Sequence, residues 1–254
     1  MKKIRLSNPI DPKTLNANQL HALTDELYAI HARIFDNVDK AAFRKYVIEP
    51  PTYKTKIFRI LNTSQDLVGY ITFQVFSVKI NGKENRIYRT EVGMLPAYRG
   101  NNLSLRTLFW ESLKEFVRSG FKKSYFVATP VHPNAYCSAA RQMRRLYPRP
   151  NQPLTQKSNG NMSKISKALG LQPSFNGSHW SQKVGWIVRN SPEQTQRIKN
   201  SDDPYVQFYL ENNPGYAEGN GMLMVVPIAV DNGVWAVYNM LRKAFRRPKR
   251  HRRC

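Results

Sequence analysis

The stretch "MLPAYRGNNLSLRTL", residues 94–108, decides how this chain folds. A run rich in β-branched residues leads into Pro96, an Arg99-Gly100 pair follows, and a helical repeat opens directly behind it. A strand ending at Met94 and a helix beginning near Leu103 leave a turn whose free backbone N–H groups point out of the helix start. That end carries about half a unit of positive charge from the aligned peptide dipoles, so it attracts phosphate. Glycine favours such a cradle because it permits close approach and positive φ. Gly100 supplies one such position, Asn102 tolerates the left-handed region, Ser104 is small, and Arg99 adds a charged contact.

Working outward, the segment before this turn reads as an antiparallel meander. "KIFRILN" (56–62), a "TSQD" turn and "LVGYITFQVFSVKI" (67–80) are followed by Asn81-Gly82, the pair that a tight hairpin turn requires, and by a return strand over 85–94. Behind the turn, Leu105, Leu108, Phe109, Leu113, Phe116 and Val117 form one apolar stripe, and Gly120 is placed to end the helix. "KSYFVAT" (123–129) then reads as a short buried strand. A strand–helix–strand order demands a crossover, so this strand is expected to lie parallel to the third one. The fold class is α+β, or mixed α/β, with the sheet switching from antiparallel to parallel.

The flanks complete the organisation. Residues 15–47 read as helix, with Leu20, Leu23, Leu27, Ile30 and Ile34 at spacings of three and four. Residues 141–203 read as an insertion, its first part exposed, with a helix at 162–170 and a strand at 183–189. "YVQFYLE" (205–211) and "GMLMVVPI" (221–228) are expected to close the sheet as a strand pair. The domain thus runs over 1–230 with its insertion near 141–203, and 231–254 forms a helix and basic tail. Val234, Val237, Tyr238, Leu241 and Phe245 fall on one side of that helix, which suits docking on the core, on a membrane interface or on a partner.

Charge narrows the partners. Forty Lys and Arg against 17 Asp and Glu give +23, and eight of the basic residues lie in the last thirteen positions. Removing those eight leaves +15 on residues 1–241, so the body is basic as well as the tail. Such a field favours nucleic acid, acidic lipid, an acidic carrier protein or a phosphorylated cofactor. The start of the chain has no signal-peptide pattern, and the apolar run Met222 to Val230 is too short to span a bilayer. The expected setting is cytoplasmic, with peripheral membrane contact through the tail. Cys137 and Cys254 give no disulfide framework, and no spacing of His, Cys and carboxylates resembles a metal site.

"MLPAYRGNNLSL", set after a meander and before an amphipathic helix, resembles the acyl-CoA-binding segment of GNAT-type N-acyltransferases. Arg99 matches the first residue of that family's Arg/Gln-x-x-Gly-x-Gly/Ala loop, while Asn102 and Ser104 stand where the family has small residues. The resemblance covers roughly residues 15–140. It implies that Arg99, Gly100, Asn101, Asn102, Leu103 and Ser104 hold the pyrophosphate of acyl-CoA or acetyl-CoA. It implies a backbone N–H of Met94 or Leu95 as the donor to the acyl carbonyl, and Glu91 as general base. The other reading of Glu91 is a strand carboxylate paired with Arg86 or Arg89. Past the last strand it implies Asn134 and a tyrosine acid, for which Tyr136 and Tyr147 are candidates although the family spacing is not met. His132 reads as a nucleophile activator or as a turn residue capping backbone, and Cys137 as a nucleophile only if a base lies beside it.

The function implied is direct transfer of an acyl group from a thioester to an amine. The basic body makes an acyl carrier protein thioester the second candidate donor, and the amine acceptor is unknown. Two other classes stay open: a basic nucleic-acid-binding protein, which would bind through charge and interleaved aromatics, and a GNAT-like module that binds ligand without catalysis.

Overall fold

A computed structural model of the chain describes residues 2–100, 103–174 and 180–245, with side chains in the last helix described as far as Asn239. In chain order the elements begin with β1 (Ile4–Leu6), α1 (Ala17–His31), β2 (Phe35–Asp36), α2 (Lys40–Phe43), β3 (Lys54–Asn62), β4 (Leu67–Ile80), β5 (Lys83–Arg89) and β6 (Val92–Met94). There follow α3 (Leu103–Arg118), β7 (Ser124–Ala128), α4 (Pro133–Gln142), α5 (Gln156–Ala168), β8 (Ser181–Lys183), β9 (Ile187–Val188) and α6 (Pro192–Lys199). The last are α7 (Pro204–Asn212), β10 (Asn220–Met222), β11 (Met224–Pro227) and α8 (Val230–Phe245).

The main sheet runs β1-β3-β4-β5-β7-β11, with β6 on β4. Asn81 and Gly82 take φ of 53° and 74°, as a two-residue hairpin turn requires, and join β4 to β5. β3, β4 and β5 are antiparallel, and β7 lies parallel to β5 with Arg86 opposite Ser124 and Arg89 opposite Val127. β11 then pairs antiparallel with β7. The mixed α+β class and the switch from antiparallel to parallel are therefore present as read from the sequence.

The two faces are covered differently. Leu20, Leu23, Leu27 and Ile30 of α1 pack with Ile57 and Tyr70 on one face. Leu108 of α3 joins Phe58, Ile60, Ile71, Phe73 and Tyr88 in a second cluster. α4, α5 and α7 enclose a third core, which includes Tyr125, Val127, Tyr136, Met162, Ile165 and Tyr209.

Four expectations change. The helix expected over 15–47 stops at His31 and gives way to β2, after which Asn37 adopts a left-handed φ of 61° and Asp39 starts a new turn by accepting from the Ala42 N–H at 2.8 Å. The first part of the insertion, expected to be exposed, sends Leu146 into the core, and the helix expected at 162–170 starts earlier, at Gln156, with Met162 and Ile165 buried. Residues 205–211 are helical: Asp203 accepts from the Tyr205 N–H at 2.9 Å and Pro204 occupies the first helical position, so a cap overrides the β-like composition. The stripe on α3 is turned so that Leu113 and Val117 are exposed, while Glu111 and Glu115 are buried and pair with Lys56 and Lys54 of β3 at 2.5 and 3.0 Å.

Candidate active site

The site begins where β5 gives way to β6. The register on β4 is unchanged across the break, with Gln74 opposite Arg89 and Ile71 opposite Val92, so no residue is inserted. The Thr72 N–H still donates to the Glu91 carbonyl at 2.8 Å, and threonine side chains take over the return rung. The Glu91 N–H donates to Thr72 Oγ1 at 3.0 Å, and the Thr90 hydroxyl donates to the Thr72 carbonyl at 2.6 Å. Beyond this point β6 stays on β4 while β7 pairs only with β5 and β11, so a wedge opens between β6 and β7.

Alternation on an antiparallel ladder decides which amides face the wedge. Leu95 N–H donates to the Val68 carbonyl at 3.0 Å, which removes it as a donor to any ligand. Met94, one residue earlier and opposite Gly69, lies in the alternate position and directs its N–H and C=O to the open edge. Of the two amides expected for the carbonyl, only that of Met94 has the required direction. Its C=O accepts from Arg99 Nε at 2.9 Å, so Arg99 folds back onto the strand end. Pro96–Tyr98 make a single tight turn, Gly100 takes a φ of 89°, and α3 starts at Leu103 with Ser104 in its first turn. Asn101 and Asn102 lie outside the described residues.

Glu91 sits beside this edge. Burial pushes its carboxyl up to about 7, opposed by the charge of Arg89 and by a hydrogen bond from Tyr46. Arg86 pairs with Glu84 at 3.1 Å rather than with Glu91. Arg89 is committed elsewhere: its Nε donates to Gln74 Oε1 at 2.7 Å, a terminal nitrogen donates to the Tyr46 carbonyl at 3.1 Å, and its guanidinium stacks 4.1 Å from the Tyr46 ring. Gln74 donates to the same Tyr46 carbonyl and to that of Val47, each at 3.2 Å. This network pins the turn after α2 to the sheet. The Tyr46 hydroxyl, hydrogen-bonded to both Glu91 and Thr129, therefore bridges the wedge from one strand end to the other.

An aromatic floor lies behind these groups. His31 Nδ1 is 2.6 Å from the Tyr70 hydroxyl, and the imidazole stacks on Phe35 and meets Trp186 edge-on, each at 4.6 Å. Burial lowers the His31 pKa to about 3, so the ring is neutral. Trp186, carried between β8 and β9, also packs edge-on against Tyr46 at 5.3 Å.

Across the wedge, His132 caps α4 by accepting from the Asn134 N–H at 3.2 Å. Burial and the charge of Arg99 lower its pKa to about 4, against a hydrogen bond with Asn190. Asn134 is exposed on the first turn of α4. Tyr136 is not in the wedge. It is fully buried, its hydroxyl donates to the Pro148 carbonyl at 2.9 Å, and burial raises its pKa, so it cannot reach a leaving thiolate. Tyr147 joins the sheet edge by bonding main chain to main chain with Val225. Cys137 is buried and its thiol pKa is raised, which removes it as a nucleophile. Among the described residues no group of three or more His, Cys, Asp or Glu could hold a metal ion. Tyr46, Thr129 and Trp186 were not legible as site residues, since none carries a motif and each arrives from a different segment.

The antiparallel-to-parallel switch, the wedge at β6 and the helix start behind it now stand together. This element order is the one that the resemblance of residues 94–105 to GNAT-type N-acyltransferases implies. Neither a protein-family model nor a curated protein matches the chain. Similar solved structures include a protein of Enterococcus faecalis V583 described as a probable N-acyltransferase, at 17% identity and a TM-score of 0.37. That match covers 54% of this chain and 32% of the other, so the chain spans about a third of that protein's length. Arabidopsis thaliana NAA60 in complex with acetyl-CoA matches at 12% identity and a TM-score of 0.39, over 89% of this chain and 99% of the other. A ribosomal-protein-alanine N-acetyltransferase from Brucella melitensis biovar Abortus 2308 matches at 12% identity and a TM-score of 0.37, over 60% and 98%.

Proposed function

We propose that this chain is an N-acyltransferase that moves an acyl group from a pantetheine-type thioester to an amine by direct transfer. The observation that carries the reading is the outward N–H of Met94 on an open strand edge, with Glu91 held near neutrality beside it. As a carboxylate, Glu91 takes the proton that a neutral amine loses as it attacks. The amine nitrogen attacks the thioester carbon, the N–C bond forms, and the oxyanion accepts a hydrogen bond from Met94 N–H. The C–S bond then breaks, the thiolate leaves and takes a proton from water, and Glu91 returns its own proton to water. Tyr46 holds the carboxylate in place through its hydroxyl, and Trp186 and Tyr46 exclude water from one side. Phosphate of the donor meets the start of α3, with Arg99, Gly100, Leu103 and Ser104 around it. Asn134 lines the far side of the entrance.

The test offers acetyl-CoA, long-chain acyl-CoA and acyl carrier protein thioesters, with a panel of primary amines, and follows free thiol. Turnover with one donor class that is lost in Glu91→Gln supports the reading and names the donor. Absence of donor binding and turnover with every class, together with tight nucleic-acid binding at physiological salt, would overturn it.

A further inference from the structure

α3 and α8 present an outward face of unusual composition. Trp110 is 49% exposed, Val117 51% and Phe121 66%, whereas both acids of α3, Glu111 and Glu115, are turned inward onto lysines of β3. On α8, Val234 is 65% exposed, and Trp235, Val237 and Tyr238 stand out beside it. Contact with the domain is made by Ala236 and by Asn232, which donates to the Pro227 and Arg145 carbonyls at 2.9 Å. Of the side chains expected to form the apolar side, Val234, Val237 and Tyr238 thus do not dock on the core, while those of Leu241 and Phe245 lie outside the described residues. Between the two helices runs an open apolar trough of about 210 Å³, floored by Phe126, Met224 and Val226.

Charge identifies what covers this face. Arg106, Lys114 and Arg118 are exposed on α3 and Lys122, just after it, is half-buried; Lys114 pairs with the inward Glu111 and Lys122 with Glu84. On α8 the one acid, Asp231, is paired with Arg145, and from residue 232 to the terminus the sequence has no acid and eight Lys or Arg. A second copy of the chain would set one cationic rim against another, at a net charge of +23 each. Indole and phenol rings with a cationic border suit a bilayer interface, where apolar rings sink below headgroups and arginines stay among phosphates. Among the described residues no helix is long and apolar enough to cross a membrane, so the contact is one of lying on the surface.

We propose that the α3–α8 face docks on an anionic phospholipid bilayer, with α8 lying in the interface and Arg106 and Arg118 meeting acidic headgroups. This does not depend on the transferase reading.

The experiment uses the full chain with vesicles of phosphatidylglycerol mixed into phosphatidylcholine, and of phosphatidylcholine alone. Trp180 and Trp186 are buried, so a blue shift of indole emission on binding reports on Trp110 and Trp235. The expected result is co-sedimentation with the anionic vesicles, a blue shift, and quenching by lipids brominated on their acyl chains. Trp110→Ser with Val117→Ser, and separately Val234→Ser with Trp235→Ser, should each weaken binding about tenfold or more while leaving the melting temperature unchanged. Arg106→Gln with Arg118→Gln should weaken it about fivefold per charge, from about 1 kcal/mol for each basic residue at an anionic surface. Equal binding to neutral vesicles would overturn the proposal. So would unchanged binding of both apolar double variants, which would assign the contact to the tail's charge alone. A concentration-dependent dimer that the same variants dissociate, with no vesicle binding, would assign the face to a second copy and equally overturn it.

Discussion

Replacing Met94 by proline removes one hydrogen atom from the wedge and tests the reading at its centre. The Met94 N–H makes no bond to β4, so proline deletes the outward donor without breaking a rung of the ladder. The side chain is a separate matter, because Met94 is buried beside Leu108 in the α3 core and its loss costs on the order of 2 kcal/mol of stability. Met94→Ala makes the same cavity and keeps the N–H, so the ratio of the two variants isolates the amide. One preorganised donor to a developing oxyanion is worth roughly 2.7–4 kcal/mol. Met94→Pro should therefore turn over about a hundred to a thousand times more slowly than Met94→Ala, with donor affinity by calorimetry within about threefold. The assay is single-turnover thiol release at saturating donor, with circular dichroism to confirm that both variants are folded. A Met94→Pro protein that is folded, binds donor and turns over within about threefold of Met94→Ala would refute the assignment of this amide.

Glu91→Gln should abolish the alkaline-rising limb of the kcat/KM profile, which in the parent protein is expected near the group's pKa of about 7. The same residue costs stability: its folded pKa lies above the ordinary 4.5, so the folded state holds its proton more tightly and stability falls as pH rises from about 4.5 to 7. Denaturant titrations should then find Glu91→Gln more stable than the parent at pH 8, by at most roughly 3 kcal/mol, with the difference shrinking to nothing below pH 4.5. Tyr136→Phe removes a buried hydroxyl from the Pro148 carbonyl and should cost about 1 kcal/mol in urea unfolding while leaving kcat within about twofold. Gly100→Val places a β-branched residue at a φ of 89° where a Cβ meets open space, so the effect is on the turn rather than on packing. Its KM for donor should rise about tenfold or more with the melting temperature little changed.

Much of the frame could be read before any coordinates. The hairpin at Asn81-Gly82, the two-residue alternation of the meander and the crossover through α3 follow from local chemistry, and they place Met94 and Glu91 at one strand break. What escaped depends on neighbours distant in sequence. Glu111 and Glu115 turn inward only because Lys56 and Lys54 wait on β3, a fact that helical periodicity does not contain. Tyr46 reaches Glu91 because Arg89 and Gln74 hold the backbone of its turn, and nothing local marks that turn as part of a site. α7 departs from expectation for a different reason: its Asp203-Pro204 start is a legible cap, but Val, Phe and Tyr share one composition in strands and in aromatic helices. Tyr136 shows the limit of transferring a role by order along the chain, since the right residue type in the right element points into the core.

The threonine stitching at residues 72 and 90 has a consequence for how such a cleft changes over time. The Thr72 N–H still donates to the Glu91 carbonyl at 2.8 Å, but the return rung is replaced by two hydroxyls, and a hydroxyl is lost by a single substitution. Thr72→Val would strand the Glu91 N–H at a cost of about 1–3 kcal/mol, whereas Thr72→Ser would keep the bond and free the rotamer. The angle between β5 and β6 thus rests in part on the hydroxyls of Thr72 and Thr90, which touch neither the carboxyl proton of Glu91 nor the amide of Met94. On the proposed reading, the width of the cleft and the transfer of the proton rest on different side chains, and one can drift while the other stands still.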